Sequence, residues 1–322
     1  MNRLYFPEGG FLETAENRAL TSTPQGLEKA MNTGAIVEGI VTLCDGNLNL
    51  HVDIGCAEGI IPVEEAVLCR AGETRKDIAV ISRVGKPVAC KILRIEHRAG
   101  GLFLKLSRVQ AQKECLMHYL DTLRVGDIIE ARVTHLEPFG AFLDIGCGVS
   151  SLLSVDCVSI SRISHPRDRL RVGMTLPVVV KSLQEDTRRI YVTLRELLGT
   201  WEQNASFFEA GQTVTGIVRS VEQYGVFVEL APNLAGLAEV SEEDAVLLRG
   251  RIGQHVSVYI KSILPERMKI KLVLIDPFVA RTPPSPPPLR FFLPPEGEKH
   301  LSRWVYSPSI ARKTVSTVFD EE

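Results

Sequence analysis

The sequence predicts an all-β chain: three tandem five-stranded barrels joined by short α-helical linkers. Three observations carry this prediction. Short runs rich in Val, Ile and Leu, punctuated by Gly, recur in the same order along most of the 322 residues. An aromatic-Gly-X-Phe strand occurs twice, as Phe139-Gly140-Ala141-Phe142 and Tyr224-Gly225-Val226-Phe227, its glycines spaced 85 residues apart, the length of one small barrel plus a connector. Between the repeated units the apolar spacing changes from strand-like to helical.

Taken in order, residues 1–33 hold Glu, Thr and Pro with scattered apolar positions and are expected to form a partly ordered arm. Residues 34–108 contain a first unit with strand patterns at 36–43, 48–54, 59–62, 86–95 and 102–106. Residues 109–125 form a linker in which Val109, Leu116, Tyr119, Leu120 and Leu123 follow helical spacing. The second unit, 126–195, places strand patterns at 127–136, 139–146, around Leu152 and Leu153, and at 175–183 and 188–194. A second helical linker spans 196–210, with Leu197, Leu198, Trp201, Ala205 and Phe208 on one face and Trp201 as a packing anchor. The third unit, 211–276, repeats the five patterns at 213–221, 224–230, 235–239, 254–263 and 268–273. A tail, 277–322, opens with a Pro-rich run that continues neither sheet nor helix and ends in a mixture of rings and positive charges. Five short strands per unit point to the small, closed OB-type barrel.

The duplicated aromatic strand is the most informative local feature. Residues three apart in a regular strand lie on opposite faces, so Phe139 and Phe142 are expected to share a face through a bulge or bend at Gly140. Two rings side by side with small neighbours make a platform for unstacked bases, each stack contributing roughly 1 to 3 kcal/mol. In the first unit the ring positions hold Leu48 and His51, so no platform is expected there. The second unit adds a basic cluster, Arg162, His165, Arg167, Arg169 and Arg171, in the loop before its fourth strand. Such cations are suited to the phosphates of a strand lying on the barrel. Charge is otherwise balanced: the chain is −2 overall, 126–195 holds nine Lys and Arg against eight Asp and Glu, and 211–275 holds seven of each. Binding is therefore expected to lean on stacking more than on counterion release.

On these residues the chain resembles the bacterial ribosomal protein S1 family, and its three units resemble S1-type RNA-binding domains. The resemblance covers roughly Gly34 to Ile275. It implies an RNA face made of Phe139, Phe142, Ser154 where the family often has His, and Arg189 with Glu185 before it. In the third unit it implies Tyr224, Phe227, Glu239 at the His position, and Lys269 near Glu266. The first unit resembles the aromatic-poor N-terminal type, with the Gly59 to Glu65 run, which implies protein contacts in place of RNA. The implied function is non-catalytic binding of single-stranded RNA, mRNA in particular, near the small ribosomal subunit. A protein-interaction adaptor of RNA decay or transcription, using the barrels as docking surfaces, is the alternative.

Other classes find little support. Seven Cys without a Cys-X-X-Cys pair point to a reducing, cytoplasmic setting and away from a disulfide framework or zinc site. No long apolar run or secretory start is present, so no membrane role is expected. The Gly146 to Ser151 stretch joins two strands and so lacks the helix N-terminus that cradles phosphate. With no P-loop, nucleophile elbow or His-Glu-X-X-His, the reading is of a non-enzyme without cofactor, metal or small-molecule substrate.

Overall fold

A computed structural model describes residues 5–69, 74–98, 101–240, 242–276, 289–295 and 297–320. The chain begins with α1 (Ala15–Thr21) and α2 (Pro24–Thr33). The first barrel follows as β1 (Ile36–Cys44), β2 (Leu50–Asp53), β3 (Glu58–Ile61), α3 (Asp77–Ile81), β4 (Pro87–Arg98) and β5 (Gly101–Ser107). After α4 (Arg108–Thr122), the second barrel comprises β6 (Ile128–Glu137), β7 (Gly140–Asp144), β8 (Ser150–Ser154), β9 (Thr175–Gln184) and β10 (Arg189–Thr193). A 3-10 turn at Arg195–Leu198 and α5 (Trp201–Ala205) lead to the third barrel. Its elements are β11 (Thr213–Glu222), β12 (Gly225–Ala231), β13 (Leu234–Ala238), α6 (Glu242–Arg249), β14 (His255–Leu264) and β15 (Lys269–Asp276). A two-stranded sheet of β16 (Arg303–Val305) and β17 (Ser316–Val318) ends the chain.

The three barrels are closed and share one topology, in which the first strand pairs with the second and fourth, and the third pairs in parallel with the fifth. Closure leaves no free sheet edge. Alternate residues turn inward to three apolar cores, for example Val37, Val52 and Leu104 in the first barrel, Val133, Leu143 and Val178 in the second, and Val218, Val228 and Val258 in the third.

The segments between and beyond the barrels are more ordered than the sequence suggests. The arm is not loose. Thr14 and Thr23 cap α1 and α2 through their side chains, and Gly34 ends α2 in the left-handed region at φ 65°. Ahead of them, Glu8 is buried in a seam between the first two barrels. It pairs with Arg108 at 2.5 Å and Arg83 at 3.1 Å, accepts from the Ala89 amide, and donates its own amide to Asp144 at 2.7 Å. Burial opposes its ionisation, but the two guanidiniums outweigh that and hold the Glu8 carboxyl below its usual value.

The linker expected as one helix over 196–210 is instead broken. Gly199 lies at φ 86° between the 3-10 turn and α5, and a Cβ there would come 2.7 Å from the Phe292 ring. Thr200 and Gln203 then start α5 with a reciprocal capping box, and Trp201 is buried in the third barrel's core cluster. The tail supplies Phe292 because it folds back onto the barrels. Its His300 bridges to Asp127, the Ile128 amide donates to the Lys299 carbonyl, and Trp304, Tyr306 and Phe319 are buried against the third barrel's cluster. The proline run at 283–288 lies outside the described residues. Among the described residues no helix is long and apolar enough to cross a membrane.

Candidate nucleic-acid interface

The two ring pairs come together in nearly the same geometry. Phe139 and Phe142 meet edge to face at 6.0 Å and 89°, and Tyr224 and Phe227 at 6.2 Å and 90°. The backbone device differs from the expected bulge at Gly140. Phe139 and Tyr224 lie outside the strands, in two-residue turns joining β6 to β7 and β11 to β12. The turn, not a bulge in the aromatic strand, brings each first ring beside the second. The bulges beside the ring pairs sit in the partner strands, at Val133/His135 and Val218/Ser220. Gly140 serves the closure of the sheet instead. A Cβ there would lie 2.5 Å from the Leu153 carbonyl oxygen, and one at Gly225 2.5 Å from that of Ala238. Glycine thus lets the third strand close against the base of each ring pair.

The outer rings are uncovered, Phe139 at 56% and Tyr224 at 64% exposure, while Phe142 and Phe227 are half-buried. In the first barrel the connection between β1 and β2 has five residues, Asp45 to Asn49. Leu48, in the left-handed region at φ 63°, packs against that barrel's core, and His51 faces Asp45 at 3.6 Å.

The strand registers extend each site into a row across the barrel, because residues directly opposite on neighbouring strands share a face. In the second barrel the row runs His135, Phe142, Leu152, Tyr191, Ser182. In the third it runs Ser220, Phe227, Leu237, Lys271, Ser262. The first carries Leu43, His51, Ile60, Lys105, Arg94 at the matching places. Tyr191, His135 and Lys271 were not singled out from the sequence. Finding Tyr191 and Lys271 requires knowing that the third strand pairs in parallel with the fifth, and finding His135 requires the bulge that sets it opposite Phe142. The signal available was only the alternation of outward Arg189 and Tyr191 with inward Ile190 and Val192.

The remaining residues divide. Ser154 stands opposite Gly140 and is half-buried; its hydroxyl bonds the Asp156 carboxylate and holds that carboxyl below its usual value. Arg189 is exposed at the start of β10, and Lys269 is exposed at the start of β15. Arg162, Arg167 and Arg171 are exposed in the loop before β9, where the Arg167 amide donates to His165 Nδ1 at 3.1 Å. Arg169 is the correction. It is 6% exposed and ion-paired to Glu229 of the third barrel, so its charge is spent inside the protein. Arg219 joins the same cluster, at 2.6 Å from Glu229 and 3.2 Å from Asp168. Beside it, the Ile160 amide donates to Asn233 Oδ1 and the Ser161 amide to the Pro232 carbonyl. The basic loop is therefore also the joint between the second and third barrels.

Comparison with known proteins agrees with this architecture. The S1 RNA-binding domain model matches residues 122–195, the second barrel and the end of α4. The chain is 26% identical over 260 residues to small ribosomal subunit protein bS1 of Rhizobium meliloti, covering 78% of this chain and 44% of that protein. It is 29% identical over 258 residues to bS1 of Staphylococcus aureus, covering 76% of this chain and 63% of that one. The bS1 protein of Staphylococcus epidermidis gives 29% over 258 residues, with 76% and 62% covered. The chain thus spans about half to two thirds of the length of these relatives. The second barrel thus matches the S1 RNA-binding domain model, and about three quarters of the chain is similar to bS1 proteins at 26 to 29% identity.

Proposed function

We propose that the chain binds single-stranded RNA without catalysis and holds mRNA near the small ribosomal subunit in the cytoplasm. The observation that carries this reading is the duplicated, uncovered ring pair. Two barrels present the same edge-to-face aromatics on outward faces, with the exposed Arg189 and Lys269 at the starts of their fifth strands. Base stacking on such rings needs no sequence readout, which suits a protein that meets many messages. The first barrel, with Leu48 folded inward, serves attachment rather than RNA binding.

Between the second and third barrels, the Arg169–Glu229–Arg219–Asp168 cluster favours a fixed joint over a loose tether. An RNA strand held on one platform is then presented to the next at raised effective concentration. Co-sedimentation with small ribosomal subunits, with and without RNase, tests the reading. The protein should sediment with subunits and be released in part when mRNA is digested. Failure to sediment in either condition would favour the adaptor of RNA decay or transcription.

A further inference from the structure

The second and third barrels share a register yet differ at one place in it. Opposite the third strand, where the third barrel has Lys271, the second has Tyr191. Tyr191 lies in line with Phe142 through Leu152, and all three are half-buried while their strand neighbours Ala141, Leu143, Leu153, Ile190 and Val192 are buried. The tyrosine therefore stands on the outward face with the ring pair. Strands two apart are separated by about 10 Å, too far for one base to cover both rings. Leu152 fills the gap as an apolar floor.

We infer that Tyr191 is a further stacking residue, giving the second barrel three base positions, Phe139, Phe142 and Tyr191, where the third barrel has two rings and a cation. This deepens the RNA-binding reading above and rests on it. At this place in the row the second barrel then grips a base, through a contact that salt scarcely affects, whereas Lys271 beside Lys269 offers the third a phosphate contact instead. The RNA path implied runs across the strands, from the β6–β7 turn over Phe142 and Leu152 to β10. Arg189, two residues before Tyr191 and exposed, lies beside the end of that path.

The test uses the full chain and an eight-nucleotide oligouridine, followed by fluorescence anisotropy as a function of salt. Tyr191→Ala should weaken binding by about 5- to 50-fold, and Tyr191→Phe, which keeps the ring, should stay within about twofold. Tyr191→Lys, which copies the third barrel, should weaken binding at high salt and steepen the slope of log affinity against log salt by about 0.7. A position away from the bound RNA would not move that slope. In the unmodified protein, tetranitromethane should nitrate Tyr191 less when the oligonucleotide is bound, as it should Tyr224, while the off-row Tyr259 stays unprotected. If Phe139→Ala and Phe142→Ala lose affinity but Tyr191→Ala does not, or if Tyr191 gains no protection, the third base position is overturned and the RNA reading stands. If the unmodified chain fails to bind the oligonucleotide at all, both fall.

Discussion

The first and second barrels are built on one plan and differ in what they show to solvent. Both close in the same strand order, with a bulge before the matching residue of the first strand, at Val41/Leu43 and Val133/His135. The second barrel joins its first two strands by Pro138 and Phe139 alone, and the turn throws Phe139 out beside Phe142. The first uses five residues, and the longer loop has room to fold Leu48 back onto the core. Inward residues fix the barrel; turn length and outward residues decide whether it carries a platform. The core of such a domain is therefore a poor guide to its function.

The largest expected difference lies in the rings. Phe139→Ala combined with Phe142→Ala should weaken single-stranded RNA binding by roughly 2 to 4 kcal/mol, if each ring holds one base. Leu48→Ala with His51→Ala should change it little. Equal losses at the two barrels in an anisotropy titration would remove the distinction between them. Fully paired RNA should compete weakly, because a duplex hides the base faces that stacking needs.

Salt separates the barrels on a second axis. With near-neutral barrels and a few exposed cations, about three to five phosphate contacts are expected, giving a slope of log affinity against log salt near −2 to −3.5. Changing Arg162, Arg167 and Arg171 together to Gln should flatten the slope by roughly 2, and the ring variants should leave it unchanged. Changing Lys105 and Arg94, at the matching row of the first barrel, should also leave it unchanged. Arg169 belongs to a different experiment. Its removal leaves the buried Glu229 with Arg219 as its remaining cation, so the loss of stability should fall below the roughly 3 to 5 kcal/mol of a buried pair broken outright. A slope steeper than about −6 would place the dominant contacts on some other basic surface.

The smallest effect concerns the seam that fastens the first barrel to the second. Burial pushes the Asp144 carboxyl up to about 7, helped by the neighbouring Glu8 charge, and burial likewise lifts Glu38 to about 7. Both folded values lie above the ordinary 3.8 and 4.5, so the folded state holds more protons in between. Their contribution to stability is complete below the ordinary values and is lost as pH rises through about 7. Thermal melts should therefore show Tm falling from about pH 5 to pH 8, and Asp144→Asn should flatten that fall. An unchanged pH dependence in the variant would place the titration elsewhere.

Much of the fold was legible because strand alternation and Gly punctuation are local signals, and the threefold recurrence reinforced each. The ring pairs were legible for the same reason, although their mechanism of approach was not: a turn and a bulge give similar sequence patterns. What escaped the sequence depends on distant partners. Arg169 reads as one of four arginines in a loop until Glu229, sixty residues on, is seen against it. Glu8 reads as an arm residue until Arg108 is found beside it. Tyr191 needed the parallel pairing of β8 with β10, which no local pattern reveals. The tail's Trp304 and Tyr306 read only as rings among positive charges until their burial against the third barrel is seen.

Crosslinking with a single-stranded RNA carrying 4-thiouridine, followed by mapping of the adducts, tests the central claim most directly. Stacking on the two platforms predicts adducts on the peptides holding Phe139, Phe142 and Tyr191, and on those holding Tyr224 and Phe227. It predicts none on β1 to β3 of the first barrel. Adducts concentrated on the first barrel, or on the tail after Arg290, with the ring peptides unmodified, would contradict it.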